Sequence, residues 1–162
     1  MRPDWLPAPL TFGNSLDDDY TRLHKLFRDD IVGARLTIDG FPIIVNTAPD
    51  KLMPQYEQGF THLVTRTDDT LGMRIIDYPR AEKLHWIPAI INNYTEPEVH
   101  SFWVATPKGE TLYLWLHEHD HILVLRWTSK SKNRKILLTS YAVDHHNRRY
   151  YQRLLDTATR IL

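Results

Sequence analysis

The sequence predicts one α+β domain. N-terminal helices and a hairpin come first, a four-stranded antiparallel meander sheet packed by helices follows, and a C-terminal helix closes the chain. Three observations predict it. Leu16, Tyr20, Leu23, Phe27 and Ile31 recur at spacings of four, three, four and four, the stripe of a helix with a period near 3.6. Four runs rich in β-branched, aromatic and leucine residues are separated by turn-like stretches: Val99 to Thr106, Thr111 to Leu116, Ile122 to Trp127 and Ile136 to Val143. A chain of 162 residues with 42% apolar side chains suits a single domain with its own core.

The elements follow in order. Residues 1–14 hold three prolines and little periodicity, so they read as an irregular arm. Ser15 then precedes a helix, with Asp17, Asp18 and Asp19 in the first turn, where negative charge meets the positive end of the helix dipole. Three consecutive helical positions point in different directions, which favours helix-start chemistry over a metal cluster. Asp39-Gly40 lies between the apolar runs Ala34 to Ile38 and Phe41 to Val45, a strong hairpin signal. Pro42 lacks an amide donor, so the second strand is expected at a sheet edge.

Residues 46–60 read as a connector with a short helix. Thr61 to Thr67 alternates as a strand would, with His62, Val64 and Arg66 on one face and Leu63 and Thr65 on the other. Asp77-Tyr78-Pro79 starts a helix with proline at a tolerated early position, and Ala81, Leu84, Ile87 and Ile91 supply its apolar face. Pro88 is expected to interrupt or kink that helix. After the four strands, Asp144 opens a last helix whose core stripe is Tyr151, Leu154, Leu155, Ala158 and Leu162.

Composition excludes several chemistries. With no cysteine, thiol nucleophiles, thiolate zinc sites, iron–sulfur clusters and disulfides are out. No apolar run nears the ~18 residues needed to cross a bilayer, and the start lacks the apolar stretch of a signal peptide. A cytoplasmic protein with no membrane partner is the expectation. The 20 basic and 20 acidic side chains cancel, but unevenly. Residues 1–70 carry 7 basic and 11 acidic groups, residues 71–125 carry 4 and 7, and residues 126–162 carry 9 and 2. That cationic last quarter is either a solvated surface or a patch that attracts polyanions.

Three constellations could carry chemistry. His117-Glu118-His119-Asp120-His121 would align its histidines on a strand for zinc or nickel, but it falls where two apolar strands need a turn, and a turn scatters side chains. No metal or other cofactor is assigned. Thr139 and Tyr141 share one strand face, either packed in the core or lining a cleft where both hydroxyls meet a phosphate, and His145-His146 follow at the start of the last helix. His62 and Arg66 would share a strand face, either as solvated surface or as an acid/base beside a cation that stabilises charge on phosphorus.

The segments Gly59-Phe60-Thr61-His62-Leu63-Val64-Thr65-Arg66, Asp77-Tyr78-Pro79-Arg80-Ala81, Leu84-His85-Trp86-Ile87, Tyr113-Leu114-Trp115-Leu116 and Leu137-Leu138-Thr139-Ser140-Tyr141 occur in an order that resembles a family. It is the small α+β ribonuclease superfamily of barnase, EndoU, the tRNA-cutting colicins and RelE (the BECR fold), in particular its phage-associated branches. The likeness spans roughly residues 56–150. It divides the single domain of residues 1–162 into an N-terminal extension, 1–55, and a ribonuclease-like core, 56–162.

The resemblance implies a metal-independent endoribonuclease, a toxin cutting tRNA or another cellular RNA, with an antitoxin or immunity protein as partner. It implies His62 as general acid/base, Arg66 as phosphate clamp, Thr139 and Tyr141 as phosphate or ribose ligands, and His145 as a second acid/base. Arg126, Lys130, Lys132, Arg134, Lys135, Arg148 and Arg149 would then follow an RNA backbone. The alternative is a catalytically inactive phage- or plasmid-related module that binds RNA or protein, with the acidic first 70 residues as a docking surface. A metal enzyme built on the 117–121 histidines comes third.

Overall fold

A computed structural model describes residues 1–13, 15–107, 109–128 and 131–162, with the side chains of 131–138 and 141 outside the description. The chain is α+β. Ser15 caps α1 (Leu16–Leu26), its Oγ accepting from the Asp18 amide at 3.2 Å, with the three aspartates in the first turn. The helix then widens into a π-helical segment, Phe27–Val32, ended by a bond from the Gly33 amide to the Arg28 carbonyl. Tyr20, Leu23, Phe27 and Ile31 are buried as the stripe requires, whereas Leu16 is exposed.

Strands β1 (Thr37–Ile38) and β2 (Phe41–Ile44) form the expected hairpin. Asp39 and Gly40 both take positive φ, 51° and 78°, the geometry of a tight hairpin turn. Gly40→Ala is expected to destabilise the fold by about 1–2 kcal/mol, since an L side chain is strained there; the midpoint of urea unfolding measures it. β2 is not at the sheet edge. The order is β1, β2, β8 (Ser131–Ala142), β7 (His121–Thr128), β6 (Gly109–Leu116), β5 (Val99–Thr106) and β9 (Arg160–Ile161), so the two-residue β1 takes the edge. Pro42 is tolerated because β2 pairs with β8 through Ile43 and Ile44, leaving Pro42 opposite Thr37.

The segment read as a strand from Thr61 to Thr67 is a correction. Residues Gln58–Val64 form helix α2, and only then does the chain extend into β3 (Thr65–Asp68), which pairs with β4 (Met73–Ile76) as a separate two-stranded ribbon. Phe60, Leu63 and Val64, at helical spacing, are all buried, and that stripe outweighs the local alternation. The helix after Asp77 comes in two pieces, α3 (Tyr78–Ala81) and α4 (Trp86–Asn92). The break falls before Pro88, which sits in the first turn of α4, where its missing amide donor leaves no helical bond unmade.

Strands β5 (Val99–Thr106), β6 (Gly109–Leu116), β7 (His121–Thr128) and β8 (Ser131–Ala142) pair antiparallel in chain order. The sheet is wider and more mixed than four antiparallel strands: β2 joins β8 in parallel, and β9 (Arg160–Ile161) joins β5. The last helix, α5 (His145–Asp156), therefore does not close the chain, and Ala158 and Leu162 lie beyond it.

Both faces of the sheet are covered, which is why its strands read as nearly continuous apolar runs. Trp103, Leu112, Leu114, Leu116, Leu123 and Leu125 pack on one face with α1, α2 and α4. Phe102, Tyr113, Trp115, Ile122 and Val124 pack on the other with Tyr151 of α5. No helix among the described residues is long and apolar enough to cross a membrane.

Candidate active site

Helix α2 is seated by close backbone contact. The Gly59 amide donates to the Asn46 carbonyl at 2.8 Å, and a Cβ at Gly59 would lie 2.8 Å from that oxygen and 3.0 Å from the Val45 Cβ. Only glycine lets the helix approach this far. At the same end, Glu57 accepts from Arg28 at 3.0 Å and lies 2.9 Å from His24 Nε2, tying the start of α2 to α1. Gly59→Ala should therefore lift α2 off the 45–46 segment, and a fall in protection of the residue 60–64 amides from hydrogen exchange would measure it.

Asp50, nearly fully buried, sits beside the first turn. Its Oδ1 accepts from the Leu52 and Met53 amides at 2.9 and 3.0 Å, and its Oδ2 accepts from Thr61 Oγ1 at 2.8 Å and lies 3.0 Å from Arg74 Nε. Burial pushes its pKa up, but the bonds from Thr61 and the Leu52 amide, with the Arg74 charge, outweigh that and hold it below the usual carboxylate range. One Arg74 terminal nitrogen also reaches Thr65 Oγ1 at 3.4 Å.

The other end of α2 is closed by Arg80 of α3. Its Nη1 donates to the His62 carbonyl at 2.8 Å and the Thr65 carbonyl at 3.1 Å, a cation at the negative end of a helix. The Asp77 amide donates to the Val64 carbonyl at 2.9 Å, so α3 is fixed to α2 by backbone as well. His62 itself is exposed. Partial desolvation, then the Arg74 and Arg80 charges, lower its pKa against the opposing pull of Asp50. The imidazole is thereby neutral near pH 7, the form that accepts a proton.

Both α2 and α3 pack against β8, the strand of Thr139-Ser140-Tyr141. The register pairs Thr139 with Val124 and Tyr141 with Ile122, positions of the α5 face, and Ser140 with Leu123 on the helix face. Thr139 is half-buried; the side chain of Tyr141 lies outside the described residues. Ser140 is buried with its Oγ 2.6 Å from His121 Nε2.

The structure therefore bonds Arg80 to the His62 carbonyl and puts the Arg74 and Arg80 charges within influence of its ring, but it does not unite His62 with Thr139 and Tyr141, whose register positions lie on the opposite face of the sheet from α2. Arg66 is no longer a same-face strand neighbour of His62. It is exposed on β3, opposite Ile75. His145 is exposed at the first position of α5.

Among the proposed RNA-binding cations, Arg148 is already engaged. It pairs with Asp120, donates to the His117 carbonyl at 3.3 Å and stands over the Trp115 ring at 5.6 Å. Arg149 is exposed and Arg126 is half-buried on β7. Lys130 lies outside the described residues, as do the side chains of Lys132, Arg134 and Lys135. These last three belong to β8 and not to a loop before it.

The 117–121 histidines scatter. His117 packs on Trp115, His119 lies edge-on to Trp86, and His121 is buried on β7 between Trp86 and Ser140. Among the described residues no group of three histidine, aspartate or glutamate side chains is disposed to hold a metal.

Sequence reasoning missed Asp50, Thr61, Arg74 and Arg80 as neighbours of His62. Arg80 stood inside the quoted Asp77-Tyr78-Pro79-Arg80-Ala81 segment, and Thr61 and Thr65 at a spacing of four would have hinted at a helix. Nothing near Asp50 in sequence points to Arg74, since their pairing exists only once β4 folds beside α2. Comparison with protein-family models, curated proteins and solved structures finds no match.

Proposed function

We propose that the protein is a metal-independent endoribonuclease with its centre at the junction of α2, α3 and β8. The observation that carries this reading is an exposed histidine on α2 whose carbonyl accepts from Arg80 and whose imidazole is kept neutral by partial desolvation and the Arg74 and Arg80 charges. His62 takes the proton from a ribose 2′-OH. The freed oxygen attacks the adjacent phosphorus, the bond from phosphorus to the 5′ oxygen breaks, and that oxygen leaves with a proton from water. The ends formed are a 2′,3′-cyclic phosphate and a 5′-OH.

Arg74 and Arg80 supply positive charge to the phosphoryl oxygens as charge builds on them, whereas Thr139 and Tyr141, at register positions of the opposite sheet face, take no part. Arg66 at the ribbon and Arg126 and Arg149 near the sheet contribute charge along the RNA backbone. In this reading β5 to β8, with α2–α4 on one face and α5 on the other, form a BECR-type core. The substrate is tRNA or another cellular RNA, and an antitoxin or immunity protein restrains a growth-inhibiting activity. Incubation of the protein with total RNA in EDTA tests the assignment, with end-group analysis of the fragments. Cyclic phosphate ends support it; intact RNA, or cleavage only with added metal, overturns it.

One observation favours the second reading, an inactive RNA- or protein-binding module. Both arginines beside His62 already bond to groups of the protein itself, Arg74 to Asp50 and Arg80 to backbone carbonyls. Salt-sensitive RNA binding without product would identify that module.

A further inference from the structure

We infer that Asp50 and Thr61 are positioning residues for His62, a role that rests on the ribonuclease reading for its consequence but not for its geometry. The juxtaposition is a chain of contacts. The loop before α2 folds its backbone around the Asp50 carboxylate through the Leu52 and Met53 amides, and the carboxylate then takes the Thr61 hydroxyl on the residue next to His62. Thr61 is wholly buried, so its hydroxyl has no water to fall back on. Its carbonyl meanwhile accepts from Thr65 Oγ1 at 2.6 Å, which in turn receives the Arg74 guanidinium.

One carboxylate thus sets the rotation of α2 about its axis and the place of the cation beside the imidazole. A helix of only seven residues does not hold its own orientation; Glu57 ties its start to α1, Arg80 and the Asp77 amide hold its end, and the Asp50–Thr61 bond is the side-chain tie within the turn that carries His62. Asp50 and Thr61 touch no reacting atom. They act through His62 and Arg74.

The pair of variants Thr61→Val and Thr61→Ser separates positioning from bulk stability, because valine keeps the shape and loses the hydroxyl while serine keeps the hydroxyl. With an oligoribonucleotide substrate, Thr61→Val is expected to lower kcat by ~10–100-fold with KM little changed, the signature of a displaced acid/base, and Thr61→Ser to restore most of it. In parallel, the His62 imidazole resonance of the full chain, assigned by its loss in His62→Gln, should move in Thr61→Val and return in Thr61→Ser.

A Thr61→Val protein that stays folded, with an unmoved His62 resonance, overturns the inference whether or not RNA is cleaved. A moved resonance in a protein that cleaves no RNA sustains the inference and removes the ribonuclease reading. Should Thr61→Val fail to fold, Asp50→Asn is read by the same resonance: it keeps an acceptor for Thr61 and weakens the hold on Arg74, and an unmoved signal overturns the inference.

Discussion

Replacing His62 by alanine is expected to lower RNA cleavage by ~10²–10⁴-fold, the range for loss of a general acid or base. The unfolding midpoint should barely change, because the residue is exposed and only its backbone carbonyl is used structurally. The pH dependence carries a sign. Desolvation and the neighbouring Arg74 and Arg80 charges place the pKa of His62 below the ordinary histidine value, so the active, neutral base persists below pH 6.5. The acid limb of kcat/KM should fall with a midpoint under that value, and Arg74→Met should move the midpoint upward. A midpoint above 6.5 would count against His62 as the base. Arg66→Ala is expected to raise KM and flatten the salt dependence while sparing kcat, as befits an exposed cation on the ribbon.

The largest stability effect should come from His121. It is fully buried on β7 against Trp86 and Ser140, and desolvation, aided by the Lys83 and Arg80 charges, lowers its pKa to about 3. An unfolded chain would titrate this ring near 6.5, so between the two values the unfolded state binds the extra proton. Stability is fully present above pH 6.5 and is lost as pH falls toward about 3, by up to roughly 5 kcal/mol from this one group. Urea unfolding from pH 7 to pH 4 measures the slope. His121→Gln, which keeps a polar partner for Ser140 and cannot titrate, should flatten it. Ser140→Ala should destabilise by about 1–3 kcal/mol at pH 7, since a buried ring nitrogen loses its partner. An unchanged slope in His121→Gln would remove His121 as the cause.

These two histidines show how much a local pattern conveys. The 117–121 cluster reads as a turn from composition alone, because two apolar strands must reverse there, and a turn scatters what a strand would align. That His121 belongs to the next strand and faces the core depends on where β7 begins. At 61–67 the local pattern misleads. Alternation and a helical stripe overlap in Phe60, Leu63 and Val64, and seven residues are too few for propensity to choose between them. Burial against α1 and the sheet chooses the helix, and His62 and Arg66 part company as a result.

Local chemistry in the sequence alone determined the capped α1, the Asp39-Gly40 hairpin, the four strand runs and the imbalance of charge, because each depends on residues within a few positions of one another. Tertiary structure alone decided which cations stand beside His62. Asp50, Arg74 and Arg80 come from three separate segments and meet only when the ribbon and α3 fold onto α2. Packing across long stretches of chain brings them to that place, and no short-range periodicity records it.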